Sequence, residues 1–371
     1  MATTNTRLMM EAVRHRLYIT RYSNGVANKM IALLRKLNVD VSGRLLVALE
    51  KDGISAENYT VKRLERIKAT IAPTIKQIYR TTWGQLAAEL QELAEGEASY
   101  QLKMLRQLIP TPIFDFVDLK ALPPEQVYAA AMSRPFQGML LKDIPTVLGD
   151  DLTRTIGNAV QQGILQGETY DQITRRVRGT AITKHRDGIL ATSERHLATV
   201  TRSAVSHVAA EARDEIGKAN DHLIKAEQWL STLDGKTSKL CIIRDRLMYK
   251  RDKKHTPIGH SVPYGAGPGR LHFNCRSTST YKLKSWRELG IDIDSIDSKT
   301  RASMNGQVSA KMNYGQWVEQ QPLSTLTEVF GVERGQLLKD GKISVPELYS
   351  DTGEYLSLAQ LRALDRIPDD D

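Results

Sequence analysis

Between residues 60 and 95 the side chains of Leu64, Ile67, Ile71, Ile75, Ile78, Leu86, Leu90 and Leu93 fall on a grid of three and four residues. That period gathers them on one face of a helix and on neither face of a strand. Residues 193–219 repeat it with Leu197, Val200, Ala204, Val208, Ala212 and Ile216. A chain with two such runs has to pair helical faces. Its aromatic content of 6% also argues for helix packing over a β-sandwich.

Punctuation divides the rest. Leu8, Val13 and Leu17, then Ile31, Leu34 and Leu37, then Leu45, Leu46 and Leu49 read as two or three short helices over 7–50, with Ser42 as an N-cap. Pro73 predicts a kink or a break in the strong run. Gly96 predicts a stop, with a further helix around 97–108. Ile109 to Phe116 reads as an extended, proline-punctuated segment. Pro123 and Pro124 open a helix through Met132. Residues 134–150 read as loop or short helix. A helix from Leu152 ends at Gly167, and Thr169 with Gln172 forms a capping box for the next. Lys184 to Asp187 reads as a polar turn. Further capping boxes are expected at Thr325–Glu328 and Ser357–Gln360, and Asp369 to Asp371 as a frayed acidic tail. The fold class expected is mainly α: a helical N-terminal region followed by a small α+β C-terminal domain. Its divisions are 1–133, 134–225, 226–290 and 291–371.

The net charge of +9 fits a polyanion such as DNA, or an acidic protein surface. Over residues 7–50 eight Lys/Arg face three acidic residues, a net of +5 that suits a solvated helix face or a docking arm. Two cysteines cannot staple 371 residues and fit a reducing compartment. No apolar run reaches the ~18 residues that span a bilayer. The N-terminus carries charges inside its apolar part, unlike a secretory signal. The expectation is a soluble protein made in the cytosol.

Trp229 to Tyr281 holds both cysteines and three of the eight histidines. Trp229 to Leu233 has strand character and runs into Asp234-Gly235, a hairpin-turn signal. Gly235-Lys236-Thr237 imitates the end of a phosphate-binding loop, but residue 230 is Leu where that loop needs Gly. Tyr264 to Gly269 is followed by no helix signal, so it is no dinucleotide fingerprint. Asp234 and Thr237 read as turn-locking side chains. Arg244, Arg246, Lys250, Arg251, Lys253 and Lys254, against Asp245 and Asp252, give a net of +4 suited to phosphates or to plain solvation. Cys241, His272 and Cys275 supply three zinc ligands, one short of a closed structural site. Asp234, Asp245, His255 or His260 are the candidates for a fourth. A Cys241–Cys275 disulfide is disfavoured by compartment. Two buried thiols beside a His272–Asn274 pair are favoured, with no cofactor. Arg276 is expected to grip Asp234 or Asp245 through two parallel bonds.

Taken together, Trp229, Leu233, Asp234, Thr237, Ser238, Cys241, Asp245, His272, Asn274, Cys275 and Arg276 resemble the motif of the phage head morphogenesis family, the minor head proteins similar to protein F of phage Mu. Arg202-Ser203-Ala204 resembles the helix that precedes the motif. Gly306-Gln307-Val308, Tyr314 to Trp317 and Val329 to Leu338 resemble the family's tails. The resemblance covers about 150–371. Relatives often carry a second cysteine where this chain has Ser277. The resemblance implies a virion protein of few copies in the head interior, present in the host cytoplasm during assembly. Its implied partners are portal and capsid proteins and packaged double-stranded DNA, with no membrane. An alternative is a virion enzyme centred on His272, Asn274 and Cys275, a metal-dependent nuclease or an ADP-ribosyltransferase-like protein.

Overall fold

The computed structural model describes residues 4–109, 117–285, 288–289, 300–303, 306–309, 312–364 and 366–367. The expectations for 110–116 and for the tail at 369–371 lie outside the described residues. The fold is mainly α with a small antiparallel sheet in its C-terminal part.

The N-terminal expectation of short helices gives way to one helix, α1, over Thr4–Asp52. Ser42 is not a cap but a buried residue inside it. Ile19, Val26, Met30, Leu34, Val41, Leu45 and Leu49 are buried along it, on either side of Asn24-Gly25. A glycine inside a helix costs about 1 kcal/mol, whereas burying one such side chain yields about 1.5–3 kcal/mol. Burial wins. α2 likewise runs over Val61–Leu108 through Pro73 and past Gly96. The residues on both sides of Pro73, Ile71 and Ile75, are completely buried. Beyond Gly96, Glu97 meets His15 at 2.6 Å, and Leu105 is buried.

α3 (Pro124–Ser133) is followed by a bridge between Phe136 and Met139 and then by α4 (Ile144–Leu165), which starts earlier than the sequence suggests. The capping box of Thr169 and Gln172 is formed at the start of α5 (Tyr170–Arg178). α6 covers Ile189–Ala219.

The chain forms two compact units. The first comprises 1–20, 94–127 and 209–371; the second comprises 21–93 and 128–208. The second unit is helical. Within it Tyr22 and Lys29 bond to Glu89, Tyr170 reaches Ile54 O at 2.8 Å, and Arg202 donates to Asn24 at 2.7 Å.

The first unit contains the sheet. Its strands are β1 (Ile224–Leu230), β2 (Met248–Tyr249), β3 (Pro257–Ile258) and β4 (Thr278–Leu283), in the order β3-β2-β1-β4, all antiparallel. β1 is buried at every position but Lys225, so it shows no two-residue alternation. The strand therefore lies upstream of the expected Trp229–Leu233. Asp234-Gly235 does not close a tight hairpin either. The chain leaves β1, turns through the one-turn helix α7 (Lys239–Ile242), and returns as β2 with Glu227 opposite Tyr249.

β5 (Thr300–Ser303) and β6 (Gly306–Ser309) form a separate pair. α8 (Tyr314–Glu319), α9 (Leu323–Phe330), α10 (Val332–Lys339) and α11 (Leu358–Ala363) follow. Tyr314, Trp317, Leu326, Phe330, Leu348 and Leu361 build a core that also takes in Leu233 and Ile242 from the motif. The capping box at Ser357 and Gln360 is present. The one expected at Thr325 is not, because α9 begins two residues earlier, behind Pro322.

Pro73 is exposed and sits in an otherwise continuous helix. Pro73→Ala restores a backbone donor and should raise stability by about 1–3 kcal/mol, read as a higher unfolding midpoint in urea. A lowered midpoint would mean that the proline shapes the helix to fit its neighbours.

Candidate functional site

The motif assembles around β1. Trp229 is fully buried among Cys241, Tyr249, Tyr264 and Cys275. Trp229 N donates to Leu247 O, and Arg246 N donates to Trp229 O, which zips the returning chain onto the strand. Ser238 caps α7, accepting from Cys241 N. This puts the Cys241 thiol in the first turn, pointing into the cluster. Ser231 Oγ donates to Cys241 O at 2.7 Å.

On the other side, Cys275 N donates to His272 O. Asn274 closes that turn at φ +56°, a left-handed conformation that Asn tolerates better than most residues. The turn brings the Cys275 sulfur to 3.7 Å from that of Cys241, and both thiols are free. His272 Nε2 lies 3.3 Å from Cys241 Sγ and 2.6 Å from Ser238 Oγ, and its Nδ1 lies 2.8 Å from Phe273 O. A bond from the Cys241 thiol, joined by one from His272, holds Cys275 well below the ordinary thiol value despite burial. Cys241, bonded to Cys275 and buried, is pushed up.

Two carboxylates lock the frame. Asp234 takes Arg276 in a two-pronged pair, Nη2 to Oδ1 at 2.6 Å, so the arginine chooses Asp234 over Asp245. Asp234 Oδ1 also accepts from Lys236 N, and Thr237 Oγ1 donates to Thr232 O. Asp245 is buried and accepts from Ser231 N at 2.7 Å and from Tyr314 N at 2.9 Å. It therefore ties the end of β1 to the start of α8. The fourth-ligand candidates are all engaged elsewhere: His260 bonds Met248 O and His255 stacks on Tyr264.

Sequence reasoning missed two groups. Arg16 is buried and donates to Cys275 O at 2.9 Å; burial lowers its pKa to about 10. Nothing in its helical surroundings marks it as part of the motif. Glu211 and Asp214 on α6 both take Arg270, with Asp214 at 2.6 Å. Burial pushes Asp214 up, but Arg270, Arg213 and Arg251 outweigh it and hold it at about 2. Gly217 faces this network so closely that a Cβ there would sit 2.6 Å from the Arg251 guanidinium and 2.9 Å from the Tyr281 ring.

The expected phosphate-facing loop divides. Arg244 is buried, bonding Pro263 O and Leu240 O above the Trp229 ring. Arg251 is 5% exposed and pairs with Asp221 and Glu227. Both are internal ties, because a buried guanidinium is stable only when its donors are satisfied. Arg246 is half-buried against Met9. Lys250, Lys253 and Lys254 remain exposed.

The second unit holds a cavity of roughly 680 Å³ lined by Arg35, Arg178, Lys184, His185, Arg186 and Glu194, among others. Its rim is a rigid turn. Lys184 and His185 both have left-handed backbones (φ +54° and +61°), which two successive non-glycine residues adopt only when held. Asp187 holds them through Thr180 N, Thr180 Oγ1 and Thr183 Oγ1. Those bonds, from Thr183 first, lower the Asp187 pKa to about 2. Gly179 (φ +89°) could bear no side chain, since a Cβ would fall 2.9 Å from both Gly188 N and His185 Cα.

The helical scaffold, small sheet and Cys/His/Arg motif are the features that comparison with known proteins can place. Residues 154–280 match the family model described as Phage Mu protein F like protein, and over that stretch the chain is similar to that family. Comparison with curated proteins and with solved structures found no match. Among the described residues no helix is long and apolar enough to cross a membrane.

Two outcomes test this geometry. Arg270→Met strands two buried carboxylates and should cost about 3–5 kcal/mol in urea unfolding; a loss under 1 kcal/mol would mean the pairs contribute nothing. The low pKa of Asp214 stabilises the fold fully above its ordinary value of ~3.9. That contribution falls away as pH drops towards about 2, so wild type should lose stability over that window. In Asp214→Asn this part of the acid slope should be absent.

Proposed function

We propose that this protein is a minor component of the phage head that associates with portal or inner capsid proteins and contacts packaged double-stranded DNA. It would be present in the host cytoplasm during assembly and in the head interior of the virion. The likeness of residues 154–280 to the Phage Mu protein F family supports the role in head morphogenesis, and the portal and DNA contacts extend that reading.

The observation that carries the DNA half is the basic cavity of the second unit. Arg178, Lys184 and Arg186 are exposed there, at the end of α5 and on a turn whose backbone is already held by Asp187. Preorganised cations lose less entropy on binding than flexible ones. The 244–254 loop suits this less well, because two of its six cations face inward. Lys250, Lys253 and Lys254 add exposed charge of the same sign.

The test is the salt dependence of DNA binding. Each phosphate neutralised contributes about 0.9 to the slope of log K against log salt. Replacing Arg178, Lys184 and Arg186 together by Ala should reduce that slope by about 2–3 on a random-sequence duplex. An unchanged slope removes the cavity from the DNA contact. A wild-type chain that binds no DNA at low salt removes the DNA half altogether. Co-sedimentation with portal assemblies tests the other half, and absence of the chain from portal-containing particles would end it.

A further inference from the structure

We propose that Cys241, His272 and Cys275 hold one zinc ion, with an oxygen ligand completing the site. The ligand atoms of these three residues lie within 4.8 Å of one another. Zinc bound tetrahedrally takes sulfur at about 2.3 Å and imidazole nitrogen at about 2.0–2.1 Å, which places two sulfurs about 3.8 Å apart and a sulfur and nitrogen about 3.5 Å apart. The structure has 3.7 Å between the sulfurs and 3.3 Å between Cys241 Sγ and His272 Nε2. Two of the three donor pairs already stand at the separations the ion requires, and the third lies within 4.8 Å. A disulfide would need the sulfurs to close to about 2.0 Å.

The imidazole is aimed for the task. Phe273 O can only accept, so His272 Nδ1, 2.8 Å away, carries the proton and donates it. The other nitrogen, Nε2, is thereby turned towards the thiols, the arrangement in which a backbone carbonyl orients a metal-bound histidine. The backbones of the two cysteines are pinned as well. Ser231 donates to Cys241 O, and the buried Arg16 guanidinium donates to Cys275 O.

Two thiolates and one neutral imidazole around Zn²⁺ sum to no net charge, which suits sulfurs that are this deeply buried. Soft sulfur donors with imidazole select zinc over magnesium or calcium. His272 is only half-buried, which leaves a way in for the ion. Ser238 Oγ, 2.6 Å from the same Nε2, puts an oxygen at hand for the fourth position, either as ligand or as the group that holds a water. Ser277 Oγ, 3.4 Å from Ser231 Oγ, also bonds the Cys241 thiol and lies beside the cluster.

The test uses the full-length chain purified without chelator. Plasma mass spectrometry should find about one zinc per chain. Exchange for Co²⁺ should produce thiolate-to-cobalt charge-transfer absorption with the intense visible bands of tetrahedral cobalt. Cys275→Ser and His272→Ala should each lose stoichiometric zinc. If either variant fails to fold, the wild-type cobalt spectrum and thiol count still decide. Both thiols of the zinc-loaded native protein should resist a thiol reagent and both should react once a chelator is added. Wild-type protein that is folded by circular dichroism, yet takes up no zinc on reconstitution and gives no charge-transfer band with cobalt, would overturn the proposal. So would a quantitative Cys241–Cys275 disulfide in protein purified under reducing conditions.

Discussion

The structure of the first unit depends on how it disposes of buried charge. Glu211, Asp214, Glu227, Asp245, Arg16, Arg213, Arg244 and Arg270 are all buried. An ion taken out of water is tolerated only when its partners satisfy it. Most of these groups find partners far away in sequence. Arg270 reaches back to α6, Asp245 reaches forward to α8, and Arg16 comes from the first helix to the Cys275 carbonyl. Apolar packing alone would leave the order of these segments loosely specified. Charge pairing makes a wrong arrangement expensive, since each misplacement strands an ion.

The motif residues are accordingly framework first. Asp234 and Arg276 clamp the turn after β1 to the segment before β4. Asp245 joins two backbone amides that no strand or helix would otherwise satisfy. What this framework encloses is the Cys241–His272–Cys275 cluster, held from both sides by bonds to its own backbone. Such a frame holds its shape across a wide range of salt, because the anchoring groups are buried and little screened.

Much of this was legible in the sequence, and the reason is range. The capping boxes at Thr169 and Ser357 span three residues and their chemistry is complete in that window. The apolar grid of α2 and α6 is visible for the same reason. A two-pronged carboxylate partner for Arg276 is legible because a planar guanidinium and a carboxylate match in shape, but the choice of Asp234 over Asp245 is not. The continuity of α1 through Gly25 and of α2 through Pro73 was not legible: a breaker's cost is local, while the burial that overrides it comes from other segments. Arg16 looked like one more cation on a wet face, since its partner is 259 residues away. Arg244 and Arg251 read as surface charge in a run of cations, because only the fold turns them inward onto Pro263 O and Glu227. The two units were hidden too, because α1, α2 and α6 each contribute to both.

Native-state hydrogen exchange on the wild-type chain tests the central claim, that the motif is one framework with the sheet and the C-terminal helices. The amides of Ser231, Cys241, Cys275 and Tyr314 should exchange only through a shared opening, with a common free energy and a common denaturant dependence equal to those of the β1 core. Exchange of Cys241 and Cys275 through small, denaturant-independent fluctuations, while β1 and α8 stay protected, would contradict it.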